Sequence, residues 1–151
     1  MMKIRTGYSS DIASIMPIMA AAFDPQFGEA WTQSQCSGSL GVPGTSFFLV
    51  EKSGILIGFA LFRTIVDESE VFLIAIHPDH QGQSAGRTLF EAVIAEAKRK
   101  GSTSLLVEVR EDNPALSFYD SLNFVQIGKR SAYYKRTDKG PKGAITLVLR
   151  L

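Results

Sequence analysis

The chain has 151 residues, of which 45% are hydrophobic and 21% charged, the balance of an ordinary globular protein. Its formal net charge of +1 argues against a broad electrostatic surface for nucleic acid, and no apolar run approaches the roughly 20 residues of a membrane-spanning helix. The single cysteine, Cys36, excludes an internal disulfide framework and fits a reducing cytoplasm. We expect one cytoplasmic domain, a monomer or a homodimer, without a direct nucleic-acid partner or membrane contact.

The first part of the chain mixes strand and helix signals. In order, it predicts a strand, a helix, a turn and a short second helix, over residues 3–6, 10–23, 24–28 and 31–40. Ser9 or Ser10 is the expected N-cap of the first helix. Pro17 falls inside its apolar pattern and is expected to kink or split it.

The next segment predicts three antiparallel strands in a meander. Two apolar runs, residues 46–51 and 55–66, flank Ser53 and Gly54, a pair typical of a hairpin turn. A turn at residues 67–69 leads into a third, nearly unbroken apolar run.

The second half begins with an amphipathic helix, because one apolar stripe extends from Gly86 to Ala97. We expect this helix to begin near Ser84 and to end at Gly101. A strand, a short helix and two final strands follow, over residues 104–109, 114–122, 124–134 and 144–151.

The element order is therefore β-α-α-β-β-β-α-β-α-β-β. The strand–helix–strand unit at residues 70–109 predicts a right-handed crossover between parallel neighbours. We expect an α/β (α+β) fold, with a mixed, mostly antiparallel sheet of about seven strands and helices on both faces.

The loop before the long helix, HPDHQGQSAGR at residues 77–87, predicts an anion site. A helix N-terminus presents unpaired N–H groups and a partial positive charge, and Gly82 and Gly86 allow close backbone approach to a phosphate or pyrophosphate. Neither a P-loop nor a G-x-G-x-x-G dinucleotide motif is present. On spacing alone, a loop without any ligand is an equal alternative.

Residues 81–87 resemble the [QR]-x-x-G-x-[GA] acyl-CoA signature of the GNAT superfamily of N-acyltransferases, whose element order matches nearly the whole chain. Residues 72–101 and 105–124, the segment GKRSAYY, and the pair Phe27 and Trp31 resemble the bacterial ribosomal-protein alanine N-acetyltransferases. The resemblance implies a GNAT domain over residues 1–151 that transfers acetyl from acetyl-CoA to a primary amine without a metal ion.

The resemblance also implies the cofactor contacts. Loop amides would hold the pyrophosphate, the third strand of the meander would pair with the pantetheine arm, and Asn113 would bind near the reactive end. The implied residues are Ile74, Ala75, Ile76, Gln81, Gly82, Gln83, Ser84, Ala85, Gly86, Arg87 and Asn113. Ser84 stands where the family usually has glycine. Serine is strained there if φ is positive, and we favour the alternative that Ser84 caps the helix.

Acyl transfer to an amine needs a proton acceptor for the attacking amine and a proton donor for the departing thiolate. Glu108, on the strand face of Leu106 and Arg110, resembles the base of the family, although a structural pair with an arginine is the commoner role for such a glutamate. Tyr119 is the candidate acid, with a packed core aromatic as the alternative. The segment between Asn113 and Tyr119 is one residue shorter than the family pattern, so Tyr119 either keeps its register or is rotated away.

Phe27, Trp31, Tyr133 and Tyr134 are the candidate substrate-binding residues. The tyrosines resemble a pair beside the acceptor groove of the family, and cross-strand packing is an equal alternative. Phe27 and Trp31 either line that groove or pack the first helices. Three functions remain open: acetylation of a protein N-terminus, a ribosomal protein in this family; acetylation of a small amine; and acyl-CoA binding without catalysis.

Overall fold

One mixed sheet runs through the computed structural model, which describes residues 1–82, 84–134, 140 and 142–151, with only the backbone of Ala132. The strands are β1 Met2–Thr6, β2 Thr45–Lys52, β3 Ile55–Ile65, β4 Glu68–Ile76, β5 Ser104–Arg110, β6 Val125–Tyr134 and β7 Lys142–Arg150. The helices are α1 Ile12–Ala22, α2 Gln33–Leu40, α3 Ala85–Arg99 and α4 Leu116–Ser121. The seven strands lie in the order β1-β2-β3-β4-β5-β7-β6.

The predicted element order and fold class are confirmed. The pair β4–β5 is parallel, as the strand–helix–strand pattern predicted, and the other strand pairs in the described residues are antiparallel. The helices cover both faces, with α1 and α2 on one and α3 and α4 on the other. None of the described helices has the length and hydrophobicity that a membrane crossing requires.

The predicted N-cap of α1 is wrong, and of the two outcomes expected at Pro17, a kink or a split, the split does not occur. A 3₁₀ turn precedes the helix, and there Asp11, rather than Ser9 or Ser10, supplies the capping carboxylate, which accepts a hydrogen bond from the Tyr8 N–H at 2.8 Å. Pro17 lies inside α1 without splitting it. The buried side chains on both sides of Pro17 hold the helix to the sheet, and this packing outweighs the one hydrogen bond that proline removes.

The face that carries α3 and α4 is held by an aromatic cluster. Phe90 of α3 is fully buried, and its ring centre lies 5.9, 5.5 and 5.7 Å from those of Phe118, Tyr119 and Phe124. Edge-to-face rings at these distances attract one another in addition to burying apolar area. The cluster therefore fixes α4, and with it Tyr119, against α3.

A β-bulge at Phe72 ends the pairing between β4 and β5. Leu61 of β3 lies opposite Leu73, whereas Phe62 lies opposite Val71, so Phe72 is the extra residue. The parallel ladder covers only residues 68–71 of β4 and 104–107 of β5. A bulge bends its strand, so β4 leaves β5 where the bulge begins. We call the opening between residues 72–76 of β4 and 108–110 of β5 the splay.

We expect Phe90→Ala to lower the free energy of unfolding by about 3–5 kcal/mol, because it leaves a cavity in the aromatic cluster. Urea denaturation measures this loss. Glu91→Ala is the matched control on the exposed face of the same helix and should change stability by less than about 0.5 kcal/mol. Equal stability of the two variants would show that the cluster does not anchor α4.

Candidate active site

The edge of β4 presents main-chain groups to the splay. The His77 N–H donates to the Ile57 carbonyl at 2.8 Å, which fixes the hydrogen-bonding phase of the β3–β4 pair. Because main-chain groups alternate in direction along a strand, Ile74 and Ile76 point theirs toward the splay, and Ala75 points its own toward β3. Of the three residues expected to pair with pantetheine through their main chain, only Ile74 and Ile76 therefore have groups that face the splay.

The loop from β4 to α3 turns through two left-handed residues. Gly82 has φ +76°, which glycine adopts without steric cost. Ser84 occupies the N-cap position of α3, but its φ is +67° and its side chain makes no capping hydrogen bond, so the favoured interpretation that the serine caps the helix is wrong. A capping side chain needs an extended backbone, which this position does not have. Gln83, between them, lies outside the described residues.

The other loop residues tie α3 to its neighbours. The Gln81 side chain donates to the Ile76 carbonyl at 3.1 Å, and Arg87 donates to the Ser121 hydroxyl of α4 at 3.1 Å. Ala85 is buried. A Cβ at Gly86 would lie 3.7 Å from Phe118, an ordinary contact, so protein packing alone does not require glycine there. The first turn of α3 therefore sits firmly beside the end of β4.

Glu108 lies at the splay on the sheet face opposite α3. Its side chain is 25% exposed and accepts a hydrogen bond from Arg130 of β6 at 2.9 Å, so the anticipated arginine pair is present. Desolvation raises the pKa of Glu70 on β4, and the negative charge of Glu108 raises it further. Two carboxylates therefore approach each other across the parallel pair.

Arg110 forms the best-buried charge cluster of the site, and the sequence analysis did not select it. It donates to Glu29 at 2.9 Å, pairs with Asp112, and places its guanidinium carbon 3.5 Å from the centre of the Phe27 ring. The available signal was strand alternation, because Arg110 shares the face of Glu108 at the end of a buried strand. This cluster holds the α1–α2 loop against β5.

Glu29 is the second residue that the sequence analysis missed, because no motif marks it. Desolvation raises its pKa, an effect that Arg110 partly offsets. The pKa values of two tyrosines are raised, first by desolvation and next by the negative charge of Glu29. They are Tyr119 and Tyr134, and the pKa of Tyr134 is raised to about 12. The charge of Glu29 therefore acts on both phenol groups.

The structure brings only some of the predicted catalytic and substrate-binding residues into contact with one another. Tyr119 is 5% exposed and packs in the aromatic cluster, yet the charge of Glu29 on the other sheet face acts on it. Tyr133 is 49% exposed, and its ring centre lies 5.2 Å from that of Tyr134. Trp31 stacks on Phe72, the bulge residue, with ring centres 5.7 Å apart.

Asn113 forms the turn between β5 and α4. Its side-chain oxygen accepts from the Ala115 N–H at 2.8 Å, so a cofactor contact would fall to its amide nitrogen. Among the described residues, no group of three or more His, Cys, Asp or Glu side chains is arranged to hold a metal ion.

Comparisons with known proteins agree with this geometry. A model of the acetyltransferase (GNAT) family matches residues 12–124. The chain is 37% identical over 103 residues to the [ribosomal protein bS18]-alanine N-acetyltransferase of Haemophilus influenzae, covering 68% of this chain and 70% of that protein. The Escherichia coli K12 protein of the same name is 35% identical over 120 residues, covering 79% and 80%.

Solved structures similar to this chain are acetyltransferases as well. The Escherichia coli ribosomal-protein-S18-alanine N-acetyltransferase superposes with a TM-score of 0.88 at 29% identity, covering 99% of this chain and 94% of that one. A Salmonella typhimurium protein solved with its cofactor acetyl-CoA has a TM-score of 0.78 at 23% identity, with the same coverage, a likeness of fold.

A parallel strand pair that separates beside a helix N-terminus defines a class of acyl-CoA-dependent transferases. The chain belongs to the acetyltransferase (GNAT) family. It is an N-acetyltransferase that takes its acetyl group from acetyl-CoA.

We expect Ser84→Gly to raise the free energy of unfolding by up to about 1 kcal/mol, because glycine relieves the left-handed backbone at this position. Acetyl-CoA should bind at least as tightly as to the unchanged protein. Thermal unfolding and calorimetric titration measure the two effects. Ser84→Ala is the control and should be nearly neutral, whereas a loss of about 1 kcal/mol would mean that the serine caps α3 after all.

Proposed function

We propose that the chain acetylates the N-terminal α-amine of a protein, with the N-terminal alanine of ribosomal protein bS18 as the candidate acceptor. The observation that carries this proposal is its identity to relatives of that name over most of both chains. Residues 1–151 would act as one acetyltransferase domain. The same proposal puts the enzyme in the cytoplasm, where the buried thiol of Cys36 stays reduced.

In this proposal, the loop and the edge of β4 hold acetyl-CoA, which supplies a thioester-bound acetyl group. The backbone amides of residues 82–87 would bind the pyrophosphate at the N-terminus of α3. Ile74 and Ile76 would pair with the pantetheine arm in the manner of an added strand. One of their N–H groups would stabilise the negative charge that develops on the acetyl oxygen.

Glu108 and Tyr119 would move the protons. The attacking amine must lose a proton, and Glu108 would accept it directly or through a water molecule. Its carboxylate is held at the splay by the hydrogen bond that Arg130 donates to it at 2.9 Å. Tyr119 would donate a proton to the departing thiolate. Burial, followed by the charge of Glu29, raises its pKa and so keeps its hydroxyl protonated at neutral pH.

The acceptor would enter on the α1–α2 side of the splay. On the connecting loop, Phe27 lies under Arg110 of β5 and Trp31 stacks on Phe72 of β4. At the end of β6, Tyr133 packs against Arg130 and Tyr134. These four aromatic side chains would line the acceptor groove.

We expect a peptide that begins with alanine to consume acetyl-CoA and to gain the acetyl group on its α-amine. Thiol release measures turnover, and mass spectrometry locates the modification. The same peptide with a blocked N-terminus is the control, and a polyamine is the competing acceptor. Modification of the polyamine alone would reject the proposal in favour of a small-amine enzyme, and acetyl-CoA binding without turnover on any amine would reject catalysis.

We expect Glu108→Gln to lower kcat by about 10²- to 10⁴-fold, because glutamine keeps the size and the hydrogen bond to Arg130 but accepts no proton. The Kd of acetyl-CoA should stay the same. Glu68→Gln removes an exposed carboxylate of β4 and should leave kcat unchanged. Equal turnover of Glu108→Gln and the unchanged enzyme over a pH series would assign the base elsewhere.

A further inference from the structure

Arg130, which donates to the proposed base Glu108, is held in the sheet by a short stretch of ladder. Regular pairing between β6 and β7 is interrupted between Gln126 and Gly128, and again between Arg130 and Tyr134. Only the three residues from Gly128 to Arg130 therefore pair in register between the two irregularities. The Arg130 side chain is 62% exposed, and an ion pair of such a side chain does little by itself to fix the position of either partner.

A second side-chain link holds the same stretch of β6. The Lys129 ammonium lies 2.7 Å from Oε2 of Glu111, and the N–H of Gly143 donates to Oε1 of the same carboxylate at 2.9 Å. The carboxylate thus binds β6 with one oxygen and β7 with the other. These two hydrogen bonds, that from Lys129 first, lower the pKa of Glu111, so its side chain is ionised at neutral pH.

The two links lie on opposite faces of the sheet. Lys129 and Arg130 are consecutive residues of β6, so their side chains leave the strand on opposite faces. Because β7 lies between β6 and β5, each side chain reaches across β7 to a carboxylate at the end of β5. Arg130 binds Glu108 on one face, and Lys129 binds Glu111, the residue after β5, on the other. We call these four residues the clamp.

Gly143 of β7 leaves the space that the clamp occupies. A Cβ at this position would lie 2.9 Å from Cε of Lys129, 3.0 Å from the carbonyl oxygen of Arg130 and 3.2 Å from Oε2 of Glu111. The Gly143 backbone is not left-handed, so these close contacts, rather than the backbone conformation, require glycine. The clamp is therefore packed tightly around the start of β7.

We infer that Glu111 is a positioning residue for acetyl transfer, an inference that rests on the proposed function. Through Lys129 it fixes the stretch of β6 that carries Arg130, and Arg130 in turn holds the carboxylate of Glu108 at the splay. Glu111 lies on the face opposite Glu108, so it acts on the base only through β6. A general base must lie within hydrogen-bond reach of the attacking amine, and small displacements of such a group lower turnover.

The first test removes either partner of the outer link. We expect Glu111→Ala to lower kcat on a peptide that begins with alanine by about three- to tenfold, while the Kd of acetyl-CoA changes by less than about twofold. Lys129→Met should have the same effect, and Lys129→Arg, which restores the ion pair, should bring kcat back to within about twofold of the unchanged enzyme. Glu96→Ala breaks an ion pair with Arg99 on α3 and is the matched control, with kcat unchanged.

The second test combines Glu111→Ala with Arg130→Met. We expect Arg130→Met alone to lower kcat about as much as Glu111→Ala does, because Glu108 then loses the hydrogen bond that holds it. In the Arg130→Met enzyme, Glu111→Ala should lower kcat further by less than about twofold, since the group through which Glu111 acts is already absent. Thermal unfolding checks that every variant is folded at the assay temperature.

Three outcomes would overturn the inference. If the effects of Glu111→Ala and Arg130→Met multiply in the folded double variant, Glu111 acts on the site by a route other than Arg130. If Glu111→Ala keeps the kcat of a parent that acetylates the alanyl peptide, the clamp has no part in turnover and the proposed function stands. A parent enzyme without turnover on that peptide would reject the proposed function together with this inference.

Discussion

The separation of β4 from β5 is the constraint on which the site depends. A continuous sheet would pair every main-chain group of both strands and would keep the residues on its two faces apart. The bulge at Phe72 ends the parallel ladder at Val71, and this leaves Ile74 and Ile76 with main-chain groups that point away from β3. One inserted residue thus creates a free strand edge, where the proposed cofactor would bind.

One electrostatic effect links the two faces of the sheet. Tyr119 packs against Phe90 in the layer of α3, and Glu29 belongs to the loop that joins α1 to α2 on the other face. Nevertheless the charge of Glu29 raises the pKa of Tyr119. The aromatic cluster sets the position of the tyrosine, and the Arg110 cluster sets that of the glutamate. The two layers are therefore each rigid, and the relation between them is fixed by β5, which carries Arg110 on one face and borders the aromatic cluster on the other.

Sequence periodicity was enough for the fold, because each element carries its own pattern of apolar residues, and the order of eleven elements allows few topologies. It failed where geometry depends on tertiary contacts. The residues around Ser84 are typical of a helix cap, but the loop requires a left-handed backbone at this position. Local composition does not determine the φ angle. Pro17 was expected to kink or split α1, and packing of the surrounding side chains keeps the helix continuous. Glu29 has no pattern at all, since its role comes from a contact with Arg110, 81 positions away.

The division of labour between segments follows from these contacts. The proposed cofactor side of the site is built on β4 and α3, whose positions are fixed by the sheet ladder and by buried apolar packing. The proposed acceptor side is built on the α1–α2 loop, which Arg110 holds through an ion pair and a cation–π contact. Changes in that loop leave the sheet ladder intact, so acceptor preference can diverge while donor binding stays constant. Arg110 links the two parts, because its backbone is part of β5 in the sheet and its guanidinium contacts Glu29 and Phe27 of the loop. A family that keeps one donor and varies its acceptors requires this separation of the two binding surfaces.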